Sequence, residues 1–537
     1  MAYGLSLNDS DWQTIHIRSI DEGVDYAEVI LGTRASNPIV WHPDGGFYYS
    51  RYPVPGMTSL KEKARSNCVC FHVLGTPQEE DLLIFESEED TLRYQTVASS
   101  DGQYLLLKEM QGTAANTRWY CRKITSSEPF VLLVSEADAD YQFIGNDSTC
   151  FYFTTTLNAP KGRIIALSLE GEQWEEVLPE QADVIQCVSF IHGVFVIVFA
   201  RDVHHTLTFY THNGVFLREI PLPCGSIRGV AGKAQDGEFF FRFSSFLSAG
   251  TIYRYDFATD ALEVFRQIES GFDASSYSVS QKFYSSKDET RIPLFLVHKR
   301  DLVLDGTTPT LLTGYGGFRI SQWPTFSSAA RFWIEHGGIY ALANIRGGGE
   351  YGEEWHQAGM LENKQNCFDD FIGAAEWLCA QKYTSPSCLA IHGWSNGGLL
   401  VAACLVQRPE LFGAVVCCTP LTDMLRYPQL GVGYYWLKEY GDAEGNAEHF
   451  QFLSRYSPLH TIQQRRIYPP TLILAGAADD RVSPIHAMKF AAALQDATDG
   501  MHPIFLSVPE KTGHLNGNTM WSTIFSFLFQ LFSLDPW

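Results

Sequence analysis

The stretch Ile391-His392-Gly393-Trp394-Ser395-Asn396-Gly397-Gly398-Leu399-Leu400 carries a Gly-x-Ser-x-Gly signature between a strand-like run (Leu389, Ala390, Ile391) and a helix-like run (Leu399 to Leu405). A serine at so sharp a strand-to-helix turn takes strained backbone angles. Gly393 and Gly397 stand where a side chain would collide with the neighbouring strand or helix. The strain pushes the Ser395 hydroxyl into the open. From the positive end of the helix, the Asn396 backbone N–H then points to where a tetrahedral intermediate carries its negative oxygen. Short glycine patterns also arise by chance among 44 glycines in 537 residues, but the strand and helix on either side argue against that reading.

A serine hydroxyl is a poor nucleophile until a base takes its proton, so the motif calls for a histidine and an acid to orient it. In this architecture the chain order is Ser, then Asp or Glu, then His. The apolar strand Thr471 to Ala475 runs into Gly476-Ala-Ala-Asp479-Asp480-Arg481-Val482, and a carboxylate just past a central strand sits where such loops converge. Asp479 is the first choice of acid and Asp480 the alternative. The next strand, Ile504 to Val508, leads through Pro509-Glu-Lys-Thr-Gly513 to His514, ahead of the apolar segment Met520 to Phe532. That loop is the expected post of the base. His486, at the start of a surface helix, His502, before a strand, and His392, inside one, are weaker competitors.

Hydrophobic residues make up 45% of the chain and charged residues 19%, an ordinary globular balance with room for two or three domains. The net charge of -22 argues against a nucleic-acid partner, which needs a positive surface. No apolar run reaches bilayer length, and Met1 to Ser10 has neither a basic region nor an apolar core, so neither a membrane anchor nor a secretory leader is expected. The twelve cysteines lack the paired spacing of a zinc site and read as free thiols of a cytoplasmic protein. No metal or cofactor is called for.

The two halves differ in rhythm. Up to about residue 270, five stretches repeat a polar turn followed by an aromatic strand. They contain Asp44, Asp101, Asp147, Gly193 and Asp236, and the aspartates are spaced by 57, 46 and 89, the last being two periods with the Gly193 turn between. An all-strand repeat of roughly 45 residues marks propeller blades of four strands each, with a β-sandwich of regular hairpins as the alternative. From about Ser280, apolar strands alternate with helical stretches, which implies a parallel-dominated sheet with helices on both faces. The nucleophile turn falls in the middle of that half, as an α/β-hydrolase domain requires. The expected division is a β-propeller lid over 1–274 and a catalytic domain over 275–537.

Five segments together resemble the prolyl oligopeptidase family of serine peptidases: Gly314-Tyr-Gly-Gly-Phe318, Ala343-Asn-Ile-Arg-Gly-Gly-Gly-Glu-Tyr-Gly352, Gly393-Trp-Ser-Asn-Gly-Gly398, Asp479-Asp-Arg-Val482 and Gly513-His514. The resemblance implies Ser395 as nucleophile, Asp479 as acid and His514 as base. It further implies that the Tyr315 hydroxyl joins the Asn396 N–H as an oxyanion donor and that Arg481 clamps a substrate carbonyl, an ordinary salt bridge being the alternative for Arg481. In the aromatic segment Leu425 to Gly441, Trp436 corresponds to the residue that stacks on the substrate's proline ring, with Phe318, Val482 and Tyr440 as neighbours. Relatives that cut after basic residues place glutamates there to meet the cation, so cleavage of short peptides after proline by a monomeric enzyme is expected. The alternatives are a family member with another side-chain preference and a propeller-based interaction protein with a vestigial hydrolase domain.

The family's N-terminal segment has no counterpart here, and Met1 to Ser6 resembles a point already inside the propeller. The expectation is an incomplete ring of five to six blades against the family's seven, and a protein less stable and less strict about peptide size than full-length relatives.

Overall fold

The computed structural model describes residues 1–35, 37–52, 67–87, 89, 91–169, 174–269, 271–514 and 517–534, the side chains of 517–519 apart. Each of the five turn-plus-aromatic stretches becomes the first hairpin of a four-stranded antiparallel sheet. They join Val40–Trp41 to Phe47–Arg51, Leu92–Ala98 to Tyr104–Gln111, Tyr141–Asn146 to Cys150–Thr155, Val184–Ile191 to Val194–Arg201, and Ser226–Ala231 to Glu238–Ser245. The Asp147 turn shows why an aspartate recurs. Its Oδ1 accepts the N–H groups of Thr149 (2.7 Å) and Cys150 (2.9 Å), and its Oδ2 accepts the Tyr152 hydroxyl (2.6 Å), so one carboxylate closes the turn and anchors the aromatic strand.

Ahead of these five, Ala2–Ser6, Trp12–Arg18 and Asp25–Arg34 form a three-stranded sheet. Apolar clusters tie each sheet to the next: Ile15 and Ile30 pack on Phe47 and Tyr49 at the start of the series, and Val196 and Phe209 on Phe239 and Phe241 at its end.

From Tyr277 onward one eight-stranded sheet organises the chain. Its strands are β1 (Tyr277–Ser285), β2 (Arg291–Lys299), β3 (Thr310–Thr313), β4 (Ile339–Ala343), β5 (Leu389–Trp394), β6 (Ala414–Cys418), β7 (Thr471–Leu474) and β8 (Ile504–Ser507). They lie in the order β1-β2-β4-β3-β5-β6-β7-β8; β1, β2 and β4 are antiparallel neighbours, and every pairing from β4 through β8 is parallel. Because successive strand residues face opposite ways, the central strands feed two cores. Leu312, Ile391 and Val415 pack under helices Gln365–Ala380 and Asn396–Gln407, while Leu311, Ala390 and Val416 pack under Ser328–Glu335 and Gly517–Phe532. This is the α/β-hydrolase arrangement, and it delivers the loops after β3, β5, β7 and β8 to one end of the sheet.

The propeller sits over that end. Thr113 donates from both its N–H (3.1 Å) and its hydroxyl (3.0 Å) to the Tyr435 carbonyl, and the Glu353 N–H donates to the Pro160 carbonyl at 2.8 Å.

Candidate active site

Ser395 stands between β5 and the helix Asn396–Gln407 with φ 59° and ψ −116°, in the left-handed half of the map that a serine avoids. The surrounding glycines are steric necessities. A Cβ on Gly393 would lie 1.9 Å from the Gly397 carbonyl oxygen, and one on Gly397 would lie 2.8 Å from the Gly314 oxygen. Gly398 is as constrained, since its Cβ would meet the Cys418 carbonyl at 2.7 Å. The turn is further fixed by the Ser395 N–H, which donates to the Cys418 carbonyl at 2.9 Å.

Asn396 is buried, and both ends of its amide are held. Its Nδ2 donates to the Tyr315 carbonyl at 2.5 Å, and its Oδ1 accepts the Tyr440 hydroxyl at 2.8 Å. Tyr315, in the loop after β3, sits beside the serine. Burial pushes its phenol up to about 12 against a smaller opposing pull from the Ser395 hydroxyl, so it remains an O–H donor at neutral pH.

The loops after β7 and β8 meet at Gly476, where a Cβ would lie 2.1 Å from the Thr512 carbonyl oxygen. Asp479 Oδ2 lies 2.7 Å from His514 Nδ1, and its Oδ1 accepts the N–H groups of Arg481 (2.9 Å) and Val482 (2.8 Å). Both side chains are buried. Asp480 faces away: its carboxylate accepts the Ser10 hydroxyl (2.6 Å) and the Asp11 N–H (3.3 Å) in the propeller. Trp394, next to Ser395, donates its indole N–H to the His514 carbonyl at 3.1 Å, so the turn also holds the histidine loop.

Two of the competing histidines, His486 and His392, are buried elsewhere. His486 is fully buried and not at a surface as expected, with Nδ1 accepting the N–H groups of Thr422 (3.3 Å) and Asp423 (3.1 Å). Burial alone pushes the His392 imidazole down to about 4.

A cavity of about 490 Å³ between the domains is lined by Ser395, Tyr315, Phe318, Trp436 and Arg481 from the hydrolase side and by residues such as Tyr52, Arg93 and Lys108 from the propeller. Trp436 lies parallel to Tyr427 behind it (centroids 6.4 Å apart, 15° between planes). Of the expected neighbours of Trp436, Phe318 and Tyr440 line the cavity with it, Tyr440 as part of the floor with its hydroxyl committed to Asn396, whereas Val482 is buried outside the lining, offering its N–H to Asp479. The Arg481 fork is not free: Nε (2.9 Å) and Nη2 (2.5 Å) both reach the carboxylate of Asp11, which also takes Arg34 at 3.0 Å. The salt bridge is thus the state seen here.

The charges beneath Phe318 escape sequence reasoning because their members are scattered. Glu439 accepts the Phe318 N–H (3.0 Å) and His356 Nε2 (2.8 Å), with Lys364 at 3.6 Å, while His356 Nδ1 lies 3.1 Å from Glu353. Burial alone would lower the imidazole, but the two glutamates outweigh it and raise it to about 9. The one available signal was a glutamate in an otherwise aromatic segment.

Known proteins share this arrangement. The family "Prolyl oligopeptidase, N-terminal beta-propeller domain" matches residues 1–268, and "Prolyl oligopeptidase family" matches residues 324–533. A prolyl endopeptidase of Elizabethkingia meningoseptica is 34% identical over 97% of this chain and 74% of its own length. A solved prolyl endopeptidase superposes with a TM-score of 0.95 at 36% identity, over 99% of this chain and 80% of its own. Prolyl oligopeptidase B of Galerina marginata bound to a 25-residue macrocyclization substrate superposes at 0.93, with 31% identity over 100% of this chain and 79% of its own. Its apo form, at the same identity over 99% and 78%, superposes at 0.70. The chain belongs to the prolyl oligopeptidase family of serine peptidases.

Proposed function

We propose that this chain hydrolyses short peptides on the carboxyl side of proline through an acyl-enzyme, with Ser395 as nucleophile, His514 as base and Asp479 as the acid that orients it. With His514 Nδ1 facing the Asp479 carboxylate at 2.7 Å, the imidazole keeps its proton there and leaves Nε2 bare to accept the Ser395 hydroxyl proton. The serine oxygen then attacks the scissile carbonyl. Negative charge grows on the carbonyl oxygen, where the Asn396 N–H and the Tyr315 hydroxyl serve as donors. The imidazolium returns its proton to the departing amine, and water repeats the cycle on the ester.

Trp436 and Phe318 form the apolar slot for the proline ring, which a rigid aromatic wall selects by shape and burial. Arg481 turns to a substrate carbonyl once it leaves Asp11. The buried Asp479–His514 pair beside a strained Ser395 turn is the observation that supports this reading most.

Labelling by a fluorophosphonate probe, absent in Ser395→Ala, tests the nucleophile. A panel of chromogenic peptides with proline, alanine or arginine before the reporter tests the slot, and faster turnover of the alanine or arginine peptide would refute it. A reducing, cytoplasmic setting fits the twelve cysteines, all free in the structure, and would be checked by fractionation. Monomeric state would be checked by light scattering. No helix among the described residues is long and apolar enough to cross a membrane.

A further inference from the structure

The cavity over Ser395 has a charge opposite to that of the protein. Arg34, Arg93, Lys108, Arg319 and Arg481 line it, against the carboxylates of Asp11 and Asp140. Asp11 serves both Arg34 and Arg481, and Asp140 pairs with Arg319. Arg93 and Lys108 have no carboxylate partner among the described residues. Arg93 donates to the Gly112 carbonyl and lies over the Tyr435 ring with its guanidinium carbon 5.1 Å from the centroid, while Lys108 donates to the neutral Gln142 Oε1 at 2.9 Å.

These two cations do not lie on a random rim. In the sheet Leu92–Ala98/Tyr104–Gln111, Gln95 pairs with Lys108 and Arg93 with Met110, so all four face the cavity, while the intervening Tyr94 and Glu109 turn inward. Lys108 is held below its ordinary range, first by burial and then by repulsion from Arg319 and Arg93, against the attraction of Asp140. Charges that repel one another across a partly desolvated cavity leave a place for an anion.

We propose that Arg93 and Lys108 form an anion-selecting wall, so that this enzyme favours peptides carrying an acidic side chain or other carboxylate within a few residues of the scissile bond. The inference rests on the proline-peptide reading of the same site. In a chain of net charge -22, such a wall also gives acidic peptides a local attraction inside an otherwise repelling surface.

Three reporters differing only in the cap on Gly-Pro-aminocoumarin test it: anionic succinyl, neutral acetyl and cationic acetyl-lysyl. The full chain should cleave them in that order, with kcat/KM differing roughly tenfold between the extremes through KM, and the spread should shrink at about 1 M salt. The double variant Arg93→Gln/Lys108→Glu should invert the order, a gain toward the lysyl peptide that loss of folding cannot mimic. Equal kcat/KM for the three caps, or an unchanged order in the double variant, overturns the proposal. Calorimetry on Ser395→Ala, comparing succinyl-Gly-Pro-amide with acetyl-Gly-Pro-amide, reads the wall without catalysis. Failure to cleave any proline reporter would sink the peptidase reading, while equal binding of the two amides would sink the anion wall.

Discussion

Asp11, in the propeller's first sheet region, grips the guanidinium of Arg481, 470 residues later in the catalytic loop that also holds Asp479. The pair ties the propeller to the loop carrying Asp479, the proposed acid, and occupies the fork proposed to take a substrate carbonyl. Removing the carboxylate leaves a partly buried guanidinium with only weaker partners. Asp11→Ala should therefore lower stability by about 1–3 kcal/mol in urea denaturation. Its acid response has a definite sign. Burial alone would raise the Asp11 carboxyl, but Arg481 and then Arg34 outweigh it and hold it below the usual carboxylate range. A depressed carboxyl stabilises fully above its unfolded value of about 3.9, and that stabilisation fades as pH falls through the lower folded value. Stability measured from pH 6 down to about 2 should show this acid limb in the wild type and a shallower one in Asp11→Asn. Identical limbs would contradict the assignment.

In the proposed mechanism, Tyr315→Phe removes one oxyanion donor and little else. The expected loss is about 3 kcal/mol of barrier, read as a fall in kcat of two orders of magnitude or so with KM nearly unchanged. The melting temperature should stay close to that of the wild type. A variant that instead raised KM at constant kcat would place the hydroxyl on ground-state substrate.

His356 makes an alkaline prediction. Its imidazole, raised to about 9 between Glu353 and Glu439, contributes stability that is complete below its unfolded value of about 6.5 and is lost as pH rises through about 9. Because Glu439 also holds the Phe318 N–H, the same transition should slacken the slot. KM for a proline reporter should rise between pH 8 and about 10, and His356→Gln should show a raised, flat KM across that range. A wild-type KM that does not move there would rule the coupling out.

Much of this was legible before any coordinates, for physical reasons that can be named. The Gly393-x-Ser395-x-Gly397 turn is local, so its strain, its glycines and the following helix all lie within one window of sequence. The five turn-plus-aromatic repeats located the five four-stranded sheets because each polar turn joins the first two strands of its sheet, with Asp101, Asp147 and Asp236 accepting backbone N–H groups within their own turns. Spatial partners were less accessible. Nothing near Arg481 announces Asp11, nothing near Phe318 announces His356, and Arg93 and Lys108 come together only when two strands pair. The aromatic segment could be read as a slot, yet which rings face the cavity depends on packing. Trp436 and Tyr440 both line it, whereas Tyr427 lies behind Trp436.

Tyr440→Phe separates two roles for that ring. The ring itself packs edge-on against Phe318 (5.4 Å, 87°), and phenylalanine preserves that contact; only the hydroxyl on Asn396 Oδ1 is lost. An unpaired buried oxygen costs about 1–3 kcal/mol. It also releases one of the two side-chain restraints on Asn396, whose N–H is the proposed oxyanion donor. Stability should fall by that amount, and kcat should drop by less than in Tyr315→Phe, because the donor is loosened and not removed. The preference for proline over alanine should persist, since Trp436 and Phe318, the proposed slot walls, are untouched. A selective loss of proline affinity with kcat intact would instead make Tyr440 a substrate-facing residue.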